Sequence, residues 1–377
     1  MKIIVEADQF KAALGISRQF MSKTTMSITK GFRLEVFPEK DLLVVESSDF
    51  NKGAKVRVKA ADNPGTAAKS ESEPGSVVVD GEKIHQIART APVGSFLLLE
   101  TKGSALQITA SQGSFRFKLA SMDEDQFPRL PPVPATMPFV SVDAGGLSAI
   151  LDKLKFATRK KEGTDRPFEE VIYLRGESAF ATDSFKMGFI KPHNLAIKEL
   201  NITTECTTLL KLLGAGTIQI ASAPEMLFAQ NNTLFMMIRL PVAPPPSLEV
   251  VLTNYADPAI VYHLDSEETQ ELRDNLKRVC IMNAAVHITP KEDKIFCGSR
   301  DAEGESQFII QKKATKFKEG IGTVCFNALF LNDALRGLEE VELGFFAPKR
   351  PVRIKSDKFE CLIQALTLVG EARYEEE

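Results

Sequence analysis

The repeated pattern of this chain is clearest in residues 81–132, GEKIHQIARTAPVGSFLLLETKGSALQITASQGSFRFKLASMDEDQFPRLPP. It opens with a helical pattern that places Ile84 and Ala88 on one face, and three strand-like runs follow. In the last run Phe117 and Leu119 alternate with polar residues, which is typical of a half-buried strand. The stretch therefore predicts one helix followed by three strands.

The same pattern returns in Glu205–Leu252 and in Phe326–Leu368. Phe96, Ile218 and Val341 hold comparable places, so the period is about 120 residues and indicates three like domains. We place them at residues 1–133, 134–252 and 253–377, the third with a short acidic C-terminal tail.

The first half of each domain repeats the pattern as well. A helix is predicted in Glu6–Lys23, Asp143–Lys161 and Asp265–Asn283, with Asp143 and Asp265 as N-caps, and three strand-like runs follow each helix. The chain is thus expected to be α+β, with six helix-plus-three-strand units. The turn Ser48-Asp49-Phe50 matches Thr182-Asp183-Ser184-Phe185.

Proline-rich segments mark the joints between the predicted domains. Phe127–Pro134 and Pro241–Pro246 are expected to be stiff, extended connectors.

Composition restricts the class of protein. The formal net charge of −3 argues against a surface that is basic all round but allows a local basic surface. No run approaches the roughly 18 apolar residues of a membrane span, and no signal peptide is evident. The five cysteines are widely spaced in apolar runs, so we expect buried, reduced thiols and a cytoplasmic location.

No motif indicates catalysis. The four histidines have no second His or Cys at metal-ligand spacing. No phosphate-binding loop, dinucleotide fingerprint or nucleophile elbow follows a strand. We therefore expect no enzymatic activity, no cofactor and no metal.

Basic residues concentrate on and beside the predicted helices. Together they indicate one continuous positive surface suited to a phosphate backbone, although a solvated helix face is the alternative for any one of them. The candidates for DNA contact are Lys23, Lys83, Lys153, Arg159, Lys160, Lys161, Lys211 and Lys277.

In these features the chain resembles the bacterial DNA polymerase III β sliding clamp. VVVDGEKIHQIARTAPVGSFLLLE from Val77, together with FRFKLASMDEDQFPRL from Phe115, resembles the end of the family's first domain. ATDSFKMGF from Ala181 resembles the family segment ATDGHRL, and FECLIQALTL from Phe359 resembles the closing strand. The similarity runs from Met1 to Leu368, and the order and spacing of the strings make it specific.

The resemblance implies a ring that is not an enzyme. Two three-domain chains would close head to tail, with helices lining the hole and sheets forming the outer wall. The partners would be double-stranded DNA, bound without sequence preference, and a DNA polymerase and clamp-loader subunits, bound through short peptides. The residues that match the family's dimer interface are Phe117, Leu119, Ile281 and Met282.

In the family, partner peptides enter a hydrophobic cleft between the second and third domains. Here Glu169 replaces an apolar residue, Phe185-Lys186 replaces His-Arg and Gln364-Ala365 replaces Met-Pro. We therefore expect altered peptide specificity, with Glu169 and Lys186 as charges at the rim. The matching positions are Arg166, Glu169, Thr182, Ser184, Phe185, Lys186, Met187, Pro246, Val251, Leu362, Gln364, Ala365 and Leu366.

Two alternatives stay open at this point. A clamp-fold interaction scaffold that no longer encircles DNA would keep the repeats, but its basic helix faces would not converge on a common hole. An enzyme with an unrecognised site would need a pocket that joins titratable groups with shifted pKa values.

Overall fold

A computed structural model describes residues 1–22, 26–62, 72–110, 115–159, 166–223, 225–300 and 304–366, apart from the side chains of Glu249 and Met282. The strands in these ranges are β1 (Lys2–Glu6), β2 (Gly31–Phe37), β3 (Leu42–Ser48), β4 (Lys52–Lys59), β5 (Gly75–Asp80), β6 (Phe96–Thr101), β7 (Ala105–Ala110), β8 (Arg116–Met122), β9 (Val140–Asp143), β10 (Val171–Arg175), β11 (Ser178–Thr182), β12 (Lys186–Ile190), β13 (Glu199–Thr203), β14 (Thr217–Ala223), β15 (Met226–Gln230), β16 (Leu234–Arg239), β17 (Ile260–Leu264), β18 (Ala285–Pro290), β19 (Lys294–Arg300), β20 (Glu305–Gln311), β21 (Val324–Asn327), β22 (Val341–Phe345), β23 (Val352–Ser356) and β24 (Phe359–Ile363). The α-helices are α1 (Ala7–Arg18), α2 (Gly81–Thr90), α3 (Ala144–Leu154), α4 (Thr204–Leu210), α5 (Leu248–Asn254), α6 (Ser266–Met282) and α7 (Ala328–Leu335).

All six predicted helix-plus-three-strand repeats are present, and each also begins with a strand that the sequence analysis did not predict. These leading strands are β1, β5, β9, β13, β17 and β21, and each runs directly into a helix. They have four to six residues, which is too short for a clear alternating pattern. Each leading strand pairs with a strand of the neighbouring repeat, for example β1 with β6 and β5 with β2, and so joins two repeats in one sheet.

The described chain divides into two compact units, which we treat separately. The first comprises Met1–Ala144 and Thr208–Leu240, and the second comprises Gly145–Thr207 and Pro241–Glu377. The first contains a sheet in the order β1-β6-β7-β8-β5-β2-β3-β4-β16-β15-β14-β9. The second contains two sheets, in the orders β13-β10-β11-β12-β24-β23-β22-β17 and β20-β19-β18-β21.

The predicted helix signals agree with the structure in α1 and α6. Helix α1 buries Phe10 and Leu14, as their spacing predicts. Asp265 caps α6, because its carboxylate accepts the Glu268 N–H at 2.9 Å while the Glu268 carboxylate accepts the Asp265 N–H at 2.9 Å. This reciprocal arrangement satisfies two N–H groups at the helix start. No helix within the described residues is long and apolar enough to cross a membrane.

Two places in the fold join strands that are far apart in sequence, and each lies within one unit. At the first junction β4 pairs with β16, and the connector Phe127–Pro134 lies against them. At the second junction β12 pairs with β24, beside the connector Pro241–Ser247.

Candidate functional site

The second junction gathers the predicted cleft residues, which all belong to the second unit. Strand β24 pairs with β12 so that Leu362 lies opposite Met187. The pairing continues past β24, because the Gln364 N–H donates to the Phe185 carbonyl at 2.8 Å. The closing strand therefore meets the turn that precedes β12.

A buried apolar cluster forms the floor of this junction. The Tyr173 and Phe180 rings stack with their centroids 5.1 Å apart. The Tyr173 hydroxyl donates to the Pro244 carbonyl at 3.4 Å and so fastens the connector. Burial raises the pKa of Tyr173 to about 12, which keeps the hydroxyl protonated as a donor. The buried members of the cluster are Val171, Tyr173, Phe180, Met187, Ala243, Leu248 and Leu362.

Asp183 builds the turn before β12. Its Oδ1 accepts the N–H groups of Phe185 at 3.1 Å and Lys186 at 2.9 Å. Ser184 takes a left-handed conformation with φ 73°. The turn leaves the Phe185 side chain 58% exposed beside the apolar floor.

Glu169 lies inside the junction and not at its rim. It is 2% exposed, and its carboxylate lies 2.7 Å from Arg159 Nη1 and 3.7 Å from Arg166 Nη1. Its other strong contact is with Ser184, whose hydroxyl donates to it at 2.7 Å. The expectation that Glu169 is a rim charge is wrong, because these partners neutralise the carboxylate within the protein.

Lys186 is also buried, so the expectation of a second rim charge is wrong as well. Its ammonium forms an ion pair with Asp183 and lies 4.3 Å from the centroid of the Phe330 ring. An ammonium held between a carboxylate and an aromatic face is not available to a ligand.

The exposed part of the junction includes apolar side chains beside the polar Arg166 and Gln364. Phe185 and Leu366, which is 37% exposed, are exposed apolar residues, and so is Val250 on α5. The half-buried side chain of Val251 packs on the floor. The sequence analysis missed Val250 and helix α5, although Leu248 and Val251 stand at helical spacing.

The remaining cleft positions have more modest roles. The Thr182 hydroxyl donates to the Lys186 carbonyl at 3.0 Å and braces the turn. Ala365 is buried, whereas the exposed Gln364 donates through Nε2 to the Lys349 carbonyl at 3.2 Å. Pro246 is half-buried in the connector.

The basic candidates differ in their surroundings. Lys83 is exposed on α2, and Lys211 is exposed on the turn Lys211–Leu213 that follows α4; both lie in the first unit. In the second unit, Lys277 Nζ lies 2.8 Å from Asp274, and Arg159 is held by Glu169. Lys23, Lys160 and Lys161 lie outside the described residues.

Lys153 is engaged inside the second unit. Its ammonium donates to the Ala334 carbonyl at 2.9 Å and to the Arg336 carbonyl at 2.7 Å, at the end of α7. It also lies 4.2 Å from the centroid of the Phe359 ring. Burial lowers the pKa of Lys153 to about 8. A contact with DNA would compete with these interactions.

The predicted interface residues lie on a part of β8 that is paired on one side only within the described residues, and near the end of α6. Residues 116–120 of β8 pair with β7 on one side and with no strand of the described chain on the other. Phe117 is exposed there and Leu119 is half-buried. Ile281, near the end of α6, is 82% exposed, whereas the Met282 side chain lies outside the description.

The cysteines have no environment that would activate a thiol. Burial raises the pKa of Cys361 to about 12 and that of Cys325 to about 11. Cys280, expected to be buried, is half-buried. Among the described residues, no group of three His, Cys, Asp or Glu side chains is placed to hold a metal ion.

Comparison with known proteins shows similarity to bacterial β sliding clamps. Residues 1–131 match the family of the DNA polymerase III beta subunit, N-terminal domain. The chain is 23% identical over 380 residues to the beta sliding clamp of Staphylococcus aureus, covering 94% of this chain and 95% of that protein. Its fold matches the crystal structure of the DNA polymerase III subunit beta from Pseudomonas aeruginosa with a TM-score of 0.84 and 17% identity, over 98% of this chain and 100% of that one.

The chain is thus similar over nearly its whole length to bacterial β sliding clamps, at 17–23% identity. The prediction of an α+β clamp fold is confirmed. The β sliding-clamp family consists of non-catalytic processivity factors. The chain is also similar to the Helicobacter pylori beta clamp that was crystallised bound to a DNA ligase peptide, with a TM-score of 0.82 and 20% identity over 97% of this chain and 100% of that one.

Proposed function

We propose that this protein is a DNA sliding clamp of three domains, at residues 1–133, 134–252 and 253–377. Two copies close head to tail into a ring around duplex DNA, and the second junction tethers a DNA polymerase and other partners through short peptides. The observation that carries the proposal is the apolar second junction, which exposes Phe185 and Leu366 within a clamp fold that extends over the whole described chain.

Peptide binding at the second junction is tested by titrating a labelled polymerase tail peptide with apolar anchors. Leu366→Asp should weaken binding about tenfold or more, because apolar anchors carry most of the energy of such interfaces. Val93→Asp, an exposed apolar residue of the first unit, is the matched control. Equal binding by the wild type and Leu366→Asp would place the peptide elsewhere.

Ring closure is tested by light scattering. Ile281→Asp combined with Met282→Asp should convert dimers into monomers, since each apolar side chain buried in an interface contributes about 1.5–3 kcal/mol. Leu329→Asp changes an exposed apolar residue of α7 outside the predicted interface and should leave the dimer intact. A double variant that is still dimeric at micromolar concentration would contradict this interface.

DNA binding is tested through its salt dependence on linear duplex. Lys83→Gln with Lys211→Gln should lower the slope of log affinity against log salt by roughly two units, about one for each phosphate that is no longer neutralised. Lys59→Gln with Lys102→Gln removes the same charge from a strand and a turn, and should leave the slope unchanged. Equal slopes for the two variants would assign Lys83 and Lys211 to solvated faces.

The interaction scaffold is the second candidate, and one observation favours it. Lys153, Arg159 and Lys277 all have partners within the chain, which reduces the charge they offer to phosphates. Peptide binding at the second junction, without salt-dependent binding to duplex DNA, would select the scaffold.

A further inference from the structure

The first junction contains an apolar groove that the proposed function does not use. Its volume is about 400 Å³, within the range of small ligand sites. Strands β2, β3 and β4 form its floor, and the connector residues Leu130, Pro131 and Pro132 form one wall. Phe235 of β16 also lines the groove.

The floor is apolar on the face of the sheet that is opposite to the core. In β3, Leu43 and Val45 are fully buried, so the alternate residues Leu42 and Val44 point to the other face. They are half-buried there together with Phe37, which is paired with Leu42 in register. Apolar side chains on this outward face provide a floor that a ligand could cover.

Cations surround this floor. Lys40 is exposed, and its ammonium lies 5.7 Å from the Phe37 ring centroid. Arg57 donates to the carbonyl oxygens of Asn231 at 3.2 Å and Asn232 at 3.3 Å, which do not neutralise its charge. Lys55 adds a third cation, 3.7 Å from the Glu46 carboxylate.

The one acid of the lining is already engaged. Glu35 lies 2.6 Å from Arg33 Nη1, a guanidinium outside the groove that also contacts Glu46 and Glu124. The lining therefore carries three cations, one of them paired with Glu46, and one carboxylate around an apolar floor, and the complementary ligand carries negative charge beside apolar anchors.

We propose that this groove binds an extended acidic peptide of a partner protein, with one or two leucine or aromatic anchors. The peptide inserts side chains and does not extend the sheet, because β2 already lies between β3 and β5 and β4 lies between β3 and β16. The anchors cover Leu42 and Val44, and the acidic flanks approach Lys40, Lys55 and Arg57. This inference goes beyond the proposed function and does not depend on DNA binding.

The test uses two fluorescein-labelled synthetic peptides and fluorescence anisotropy. Each has leucine and phenylalanine anchors separated by one residue, flanked on both sides by two glutamates in one peptide and by two lysines in the other. The glutamate peptide should bind at least about tenfold more tightly than the lysine peptide, and its binding should weaken with salt. Lys40→Glu and Leu42→Ser should each weaken it about tenfold, while Lys102→Glu, the same charge change outside the groove, should not.

Three results would overturn the proposal. Equal affinity for the two peptides would show that charge does not select the ligand. Loss of binding in Leu366→Asp without loss in Lys40→Glu would place the peptide at the second junction. A change in mass by light scattering in Lys40→Glu would make the groove an interface between copies of this chain. Since Lys40 is exposed and Leu42 half-buried, circular dichroism of both variants checks that the fold is intact.

Discussion

The two junctions are built on the same plan. At the first, the Asp49 carboxylate accepts two successive N–H groups, from Asn51 at 3.0 Å and Lys52 at 2.8 Å, and Phe50 has φ 72°. Asp183 makes the equivalent bonds at the second junction around Ser184, with φ 73°. The predicted match between these turns is therefore confirmed in atomic detail, and it makes Lys52 and Lys186 equivalent first residues of β4 and β12.

The two junctions differ at a single position of the strand that follows the turn. It is Gly53 in the first and Met187 in the second, each the second residue of its strand. A Cβ on Gly53 would lie 2.2 Å from Leu130 Cδ2, so the connector fills the space there. Met187 fills the corresponding space with its own side chain. Because Gly53 has no side chain, the first connector can pack directly on the sheet. At the second junction, the Phe185 side chain stays exposed.

The largest effect on stability should come from removing a buried side chain at the second junction. Met187→Ala removes a buried side chain that packs among Tyr173 and Leu362, and should lower the free energy of unfolding by about 2–5 kcal/mol. Urea denaturation measures the change. Met187→Leu conserves volume and is the control, with a loss below about 1.5 kcal/mol. A small loss in Met187→Ala would mean that the connector collapses into the space.

Filling the first junction should have the next largest effect. The Cβ in Gly53→Ala would meet Leu130 and also lie 2.8 Å from the Ser47 carbonyl oxygen, so that overpacking costs about 1–3 kcal/mol. The displaced connector should also become a site of faster proteolysis. Gly15→Ala, in α1 where nothing lies within 4 Å of the added Cβ, should be neutral or stabilising. If both variants have the same stability as the wild type, the packing of Leu130 on the sheet does not require a glycine at position 53.

The buried glutamates of the two junctions provide a third contrast. Glu46 is 2% exposed, accepts the Leu130 N–H at 3.1 Å and lies 3.5 Å from the buried Arg33. Glu169 has a partner, Arg159, whose side chain is 45% exposed and can return to water. Glu46→Gln should therefore cost about 1–2 kcal/mol more than Glu169→Gln in thermal unfolding, because it removes one of the three carboxylates, with Glu35 and Glu124, that compensate the buried Arg33. The reverse order would show that exposure of the partner does not decide the cost.

The sequence revealed the fold because most of the signal is local. Alternating runs such as Phe115–Leu119 and the N-cap at Asp265 depend on neighbours within a few residues. The cleft positions were found through matched strings, but the burial of Glu169 was not. Its ion-pair partner Arg159 and its hydrogen-bond donor Ser184 are ten and fifteen residues away, so only the folded chain brings them together.

The groove at the first junction was missed for a related reason. Its members come from β2, β3, β4, β16 and the connector, so no single stretch contains the pattern. Within β3, Leu42 and Val44 read together with Leu43 and Val45 as one continuous apolar run, which does not distinguish the core face from an exposed one.

The smallest expected effect is a pH dependence at β24, the strand that completes the second junction. The Lys153 ammonium lies over Phe359 of this strand, and burial lowers its pKa to about 8, below the roughly 10.4 of an unfolded lysine. Between these two values the unfolded chain binds more protons than the folded one, so folding is favoured as pH rises. The wild type should thus gain about 1 kcal/mol between pH 8 and pH 9 relative to Lys153→Met, in which this titration is absent. Urea denaturation of both proteins at the two pH values gives the difference, and Lys155→Met, an exposed neighbour, should follow the wild type. A difference that is constant with pH would mean that Lys153 keeps its proton throughout, held by the carbonyl oxygens of Ala334 and Arg336.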